Sequence, residues 1–185
     1  MLIAAKYVYL QWVGNGNSEE DMMAQIKEHV ERIFSVSAQI RQMSARPTDA
    51  FDLARGQYSS TKILKWSLEN APPDASKILS ITDCDLFIPV LTFVFGEAQL
   101  GGLGALVSTA RLRVDINGVS APQRIYRERL LKECAHELGH TFGLIHCSSP
   151  RCAMRRSNNV LDVDGKGDRF CRGCRSNLRR LQTKE

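Results

Sequence analysis

Histidine is scarce in this chain of 185 residues, with four in all, and long apolar runs are absent altogether. No stretch approaches the roughly 18 consecutive apolar residues that span a bilayer, which excludes a helical membrane protein. Aromatic residues make up only 7% of the chain and do not interleave with its late basic residues, so the stacking pattern of a single-strand nucleic-acid binder is missing. Neither an internal repeat nor a low-complexity tract is present. The leading segment MLIAAKYVYLQWV lacks a basic start and a small-residue cleavage site, and its alternation suits a strand, so export is not expected and the cytoplasm is the expected location.

What is present is ordinary for a soluble globular protein: 43% hydrophobic and 24% charged residues in a length that suits one domain. The formal charge of +5 comes with a late cluster of basic residues at Arg151, Arg155, Arg156, Lys166, Arg169, Arg172, Arg175, Arg179 and Arg180. Such a cluster fits either phosphate contacts or a solvated basic face. Six cysteines in a chain expected to be intracellular point to metal ligation or free thiols before disulfides.

Residues 2 to 10 read as a strand, followed by a turn at GNGN and a helix capped by Ser18, with Met22, Ile26, Val30 and Ile33 at helical spacing. His29 beside that stripe is expected on the helix surface. SSTKILKWSLEN reads as a second helix, stopped by Ala71-Pro72-Pro73. Lys77 to Thr82 reads as a buried strand, and FVF and ALVSTARLRV as two more, separated by the glycine-rich GEAQLGGLG. Those glycines lack the ending of a phosphate loop and suit a flexible turn or an edge. From Gln123 the pattern is helical through RIYRERLLKECAHELGH, with Ile125, Leu130, Leu131 and Leu138 as candidate core. Residues after Gly143 are basic, rich in Cys and Gly, and too poor in large apolar side chains to form a core alone. The expected organisation is therefore a single domain, with an N-terminal lobe over 1–143 and a small metal-stapled lobe over 144–185.

Three of the four histidines fall within HELGHTFGLIHC. A helix advances about 100° per residue, so His136 and His140 are offset by only about 40° and share one face, able to hold one ion. Glu137 stands beside the first of them without occupying its ligand position, the arrangement of a general base in a zinc hydrolase. His146 lies about 240° further round and cannot join on a continuous helix. Gly143 can end the helix in a left-handed conformation and let the chain return His146 as a third ligand. The extended pattern H-E-x-x-H-x-x-G-x-x-H is thus a candidate catalytic zinc site with one position open for water.

Cys147 and Cys152, then Cys171 and Cys174, form pairs spaced like structural zinc ligands, with two disulfides as the alternative. Cys84 and Cys134 are expected as buried free thiols. DVDGKGD (Asp162 to Asp168) superficially suggests a calcium loop. It places Lys166 and Gly173 where ligands belong, and reads as a surface turn.

The combination HELGHTFGLIHCSSPRCAM followed by CRGC, together with RGQYSS, ITDCDLFIPVLTFVFGEA, STARLR and ERLLKE, closely resembles the archaemetzincins, a family of metzincin zinc proteases. The resemblance covers most of the chain. It implies an α+β (α/β) metzincin-like zincin fold, a mixed twisted sheet with helices, whose edge strand near Gly102 to Leu112 borders a cleft. It implies two zinc ions per chain: a catalytic one on His136, His140 and His146 with Glu137 as base, and a structural one on Cys147, Cys152, Cys171 and Cys174. Met154 would be the methionine beneath the catalytic site. The expected function is a zinc-dependent peptidase acting on a peptide or protein substrate as a monomer without membrane attachment. Its rivals are a zinc-stabilised interaction module with an idle site and a basic nucleic-acid binder.

Overall fold

The computed structural model describes residues 6–14, 20–43 and 45–183. The Ser18 cap, residues 2–5 of the first expected strand and most of the GNGN turn lie outside them. Strands β1 (Tyr7–Val13), β2 (Ala38–Met43), β5 (Ala75–Thr82), β8 (Gly96–Ala98) and β9 (Gly104–Ser108) form one sheet in the order β2-β1-β5-β9-β8. Its first four members run parallel, and β8 pairs antiparallel to β9 at the edge. A smaller sheet, also mixed, contains β3 (Phe51–Asp52), β4 (Gln57–Ser59), β6 (Leu86–Ile88) and β7 (Leu91–Val94).

Helices cover both faces of the larger sheet, as parallel strands require. Alternate residues Val8, Leu10 and Trp12 of β1, Leu79 and Ile81 of β5, and Ala105 and Val107 of β9 share a core with α1 (Glu20–Phe34) and α3 (Gln123–Thr141). Val13 and Leu106 point to the opposite face and pack with Ile63 and Leu64 of α2 (Ser60–Glu69). Two short helices, α4 (Val160–Gly165) and α5 (Arg172–Gln182), complete the chain. Their Val160, Val163, Cys174 and Leu178 join the α1/α3 core, so residues 144–183 share the main core rather than building their own.

Several expectations need correction. His29 is only 2% exposed, not a surface residue: its Nδ1 accepts from Arg32 at 2.8 Å and the Asp168 carboxylate faces it at 3.8 Å. Ile33, Ile125 and Leu131 are half-buried rather than core. The strand read over ALVSTARLRV stops at Ser108, because the amides of Leu112 and Arg113 turn back onto the Thr109 carbonyl. The edge strand is consequently β8, within GEAQLGGLG, and not the 102–112 segment, whose β9 lies inside the sheet. Nor is Asp162–Asp168 a surface turn. Its first four residues belong to α4, and Lys166 is buried against Glu133 at 2.8 Å.

Candidate metal centres and active site

Helix α3 carries charge as well as apolar side chains on its buried side. Arg129 grips Asp164 with two hydrogen bonds of 2.8 Å, Lys132 donates to the carbonyls of Val163 and Asp164 at 3.1 Å, and Glu133 meets Lys166. Three successive polar contacts thus lock the helix to α4 and the following residues. Its C-terminus ends at Gly143, with φ 88°, where the Leu144 amide donates to Gly139 and the Gly143 amide to His140. This paired closure is the glycine stop expected there, and it redirects the chain.

After that turn His146 comes back to His136 and His140. One ring nitrogen from each lies within 4.8 Å of the others. His136 donates from Nδ1 to the Ala153 carbonyl at 2.9 Å and His140 from Nδ1 to the Leu144 carbonyl at 2.7 Å. Those backbone partners fix both tautomers and leave two bare Nε2 lone pairs facing each other 3.2 Å apart. Such an arrangement is repulsive unless a cation lies between. Two nitrogens on one tetrahedral zinc stand roughly 3.3 Å apart, so the spacing fits that ion. Burial, aided by the Lys166 charge and the neighbouring imidazole of His140, holds His136 well below the usual histidine range; burial lowers His140 and His146 too. All three therefore favour the neutral form that metal binding needs.

Glu137 is 7% exposed, and burial, reinforced by the Glu133 carboxylate, pushes it up to about 8. Gly96 of β8 lies directly against it: a Cβ there would stand 2.6 Å from Glu137 Cγ and 2.5 Å from the Leu106 carbonyl oxygen. The edge strand can approach the carboxylate this closely only through glycine. Residues Phe93 to Ala98, the three histidines, Glu133, Glu137 and the segment Arg156-Ser157-Asn158 line a cleft of about 520 Å³. Met154 is buried beneath the helix, where a Cβ on Gly139 would meet its Sδ at 2.6 Å.

The other four thiols also converge, with all Sγ atoms within 4.8 Å. Cys147 and Cys171 stand 3.8 Å apart, far beyond a disulfide bond and close to the roughly 3.8 Å expected of two thiolates on one tetrahedral zinc. The Ser149 amide donates to Cys147 Sγ and the Cys171 amide to Cys152 Sγ. The Cys174 amide draws the Cys171 thiol down to about 7, whereas burial raises Cys152 and Cys174. Cys84 and Cys134 are buried and unpaired, as expected of free thiols.

Three consecutive residues tie the two clusters together. Cys152 belongs to the thiol group, the Ala153 carbonyl orients His136, and Met154 packs under Gly139 while its carbonyl accepts from the Cys147 amide at 3.0 Å. The structure brings together the three histidines and the four cysteines that the sequence singled out, while sequence reasoning missed Gly96, Glu97, Glu133 and Lys166. Glu133 sits one helical turn before Glu137, a spacing that could have indicated it; Lys166 carries no such signal.

The sequence profile of peptidase family M54 matches residues 21–180. The chain belongs to peptidase family M54. Among curated archaemetzincins, that of Methanocaldococcus jannaschii is 38% identical over 95% of this chain and 92% of its own. The crystal structure of archaemetzincin from Methanopyrus kandleri superposes with a TM-score of 0.85 at 32% identity, covering 98% of both chains. That of Archaeoglobus fulgidus archaemetzincin, complexed with malonate, gives 0.78 at 37% identity over 92% of this chain and 98% of that one. A metalloproteinase from Bacteroides fragilis, 13% identical with a TM-score of 0.58, shares the fold over 96% of this chain and 53% of its own. The M54 chain is thus a zinc metallopeptidase with the α+β fold of the archaemetzincins, and neither the interaction module nor the nucleic-acid binder is favoured. No helix among the described residues is long and apolar enough to cross a membrane.

Proposed function

We propose that His136, His140 and His146 hold a catalytic zinc, that Cys147, Cys152, Cys171 and Cys174 hold a structural one, and that Glu137 is the general base of peptide hydrolysis. The observation carrying this reading is the pair of bare Nε2 lone pairs 3.2 Å apart beside a buried carboxylate. A zinc ion held there would supply Lewis acidity, lowering the pKa of a bound water and polarising a substrate carbonyl. Glu137 takes a proton from the attacking water and returns it to the leaving amine nitrogen. The peptide lies along β8, where main-chain hydrogen bonds hold an extended chain and Gly96 lets it reach the base.

The thiol cluster has the opposite task. Four thiolates would leave no open position, so that ion holds the 144–185 lobe and, through Cys152-Ala153-Met154, the orientation of His136. Residues 1–143 form the lobe that carries the helix and the edge strand of this single catalytic domain. Six unbonded thiols suit a reducing compartment, and we place the protein in the cytoplasm as a monomer. The test is a peptide-library digest read by mass spectrometry. Glu137→Ala should lower hydrolysis roughly 10²–10⁴-fold while zinc content and fold persist. Equal turnover by parent and variant would refute the mechanism.

A further inference from the structure

Besides its histidines, the cleft wall presents the carboxylates of Glu97, Glu133 and Glu137 and the guanidinium of Arg156. Each carboxylate is accounted for. Glu97 accepts from the hydroxyls of Ser60 and Thr61, Glu133 is paired with Lys166, and Glu137 is buried at the reacting centre. Arg156 is different: it is exposed, and no carboxylate among the described residues pairs with it. It shares that cleft with the third histidine, His146. Next to it the Ser157 hydroxyl, on the same wall, is shielded from water and has no hydrogen-bond partner.

The backbone that carries this pair is held firmly. The Arg155 amide donates to the Cys152 carbonyl at 2.9 Å, and the buried Lys166 ammonium donates to the Arg155 carbonyl at 3.1 Å. The other late arginines, at 151, 169, 172, 175, 179 and 180, lie outside the cleft lining and fit a solvated basic face. Arg156 alone among them faces the reaction site. Hydroxyl donors leave the Glu97 charge in place, so the cleft holds both signs, and its guanidinium, Arg156, has no carboxylate partner among the described residues.

We propose that Arg156 is a specificity-determining residue that binds a carboxylate of the peptide in the cleft it shares with the third histidine, so that this peptidase selects substrates carrying a carboxylate at that position. The inference rests on the peptidase reading for the identity of the ligand as a peptide. A guanidinium matches a carboxylate through paired N–H donors, and such charge-assisted contacts are strong enough to set a preference of about tenfold in a partly open cleft. The carboxylate has two sources, an internal Asp or Glu and a free C-terminus.

The experiment measures binding to the full-length, zinc-loaded Glu137→Ala chain, which makes it independent of turnover. Fluorescent Ala/Ser peptides carry a single Glu or Gln at each position in turn, with free or amidated C-termini. Peptides with the carboxylate should bind about tenfold tighter than their neutral counterparts, and added salt should shrink that ratio. In Arg156→Gln the ratio should fall to near one, and Arg156→Glu should favour Lys-containing peptides. Loss of the preference on Glu-to-Gln exchange assigns the internal acid; loss on amidation alone assigns the C-terminus. An equal ratio in the Arg156 and Arg156→Gln chains, or no peptide binding at all, overturns the proposal. Absence of hydrolysis by the parent chain, with acidic peptides still bound through Arg156, would instead count against the peptidase reading alone.

Discussion

A single missing side chain governs how the cleft is built. At Gly96 the backbone of the edge strand touches Glu137, and a Cβ would collide with both Glu137 Cγ and the carbonyl of Leu106. The backbone oxygen cannot move without breaking the β8–β9 ladder, so the carboxylate must yield. Gly96→Ala should therefore lower kcat/KM by at least about tenfold, with an overpacking cost of roughly 1–3 kcal/mol in stability. Activity and denaturant melts measured together would check it. Gly139 has a different neighbour, since the obstacle there is the flexible thioether of Met154. That side chain can shift, so Gly139→Ala should be better tolerated.

The active-site helix owes its position to polar contacts on successive turns. The Glu133–Lys166 pair is nearly free of water, with side-chain exposures of 3% and 0%. A buried pair of this kind contributes little net stability compared with apolar residues, but removing one partner strands the other charge. Lys166→Met should thus lower stability by about 3–5 kcal/mol, and adding Glu133→Gln should recover part of the loss because the stranded charge is gone. Urea melts of the parent and the two variants decide this. Equal stability of all three would mean the pair has no part in docking α3 onto the following segment. Legibility was uneven at this scale. The strands β3, β4 and β6 span two or three residues each, too short for alternation to show, whereas FVF was read as a strand and overlaps β7; β2 exposes Gln39 and Ile40 because it is an edge. The helix α3 was legible from its apolar spacing and its histidine motif, but its buried polar face was not.

At the scale of the whole molecule, two ions should be held with unequal strength. The thiol site would be closed and the histidine site open to water, so graded chelation should remove the catalytic ion first. Activity should vanish as zinc falls from two ions to one while circular dichroism is unchanged, and return on adding zinc. Cys174→Ser should instead loosen the 144–185 lobe, seen as faster limited proteolysis. Acid stability has a separate determinant. His29 is buried, which depresses its pKa below 6.5; the facing Asp168 carboxylate opposes this, and Arg32 and Arg169 reinforce it. Because the folded value is the lower one, the unfolded chain binds the proton first as pH falls. His29 is thus neutral and without penalty above about pH 6.5, and stability declines between that pH and the depressed folded value. His29→Leu should flatten this part of the parent's stability–pH curve, as melts at graded pH would reveal; an unchanged slope would exclude His29 as the cause.

The sequence by itself marked the two candidate ligand sets, because metal chemistry restricts both residue type and spacing: His136 and His140 meet on one helical face, Gly143 permits the return of His146, and the cysteines come in close pairs. These are local constraints, carried by a few bonds of chain. Only the tertiary structure decided which strand borders the cleft, that Gly96 touches Glu137, that Lys166 neutralises Glu133, and that Arg156 lines the cleft with no carboxylate partner among the described residues. Each of those depends on groups brought together by packing across tens of residues, where neither spacing nor periodicity leaves a trace.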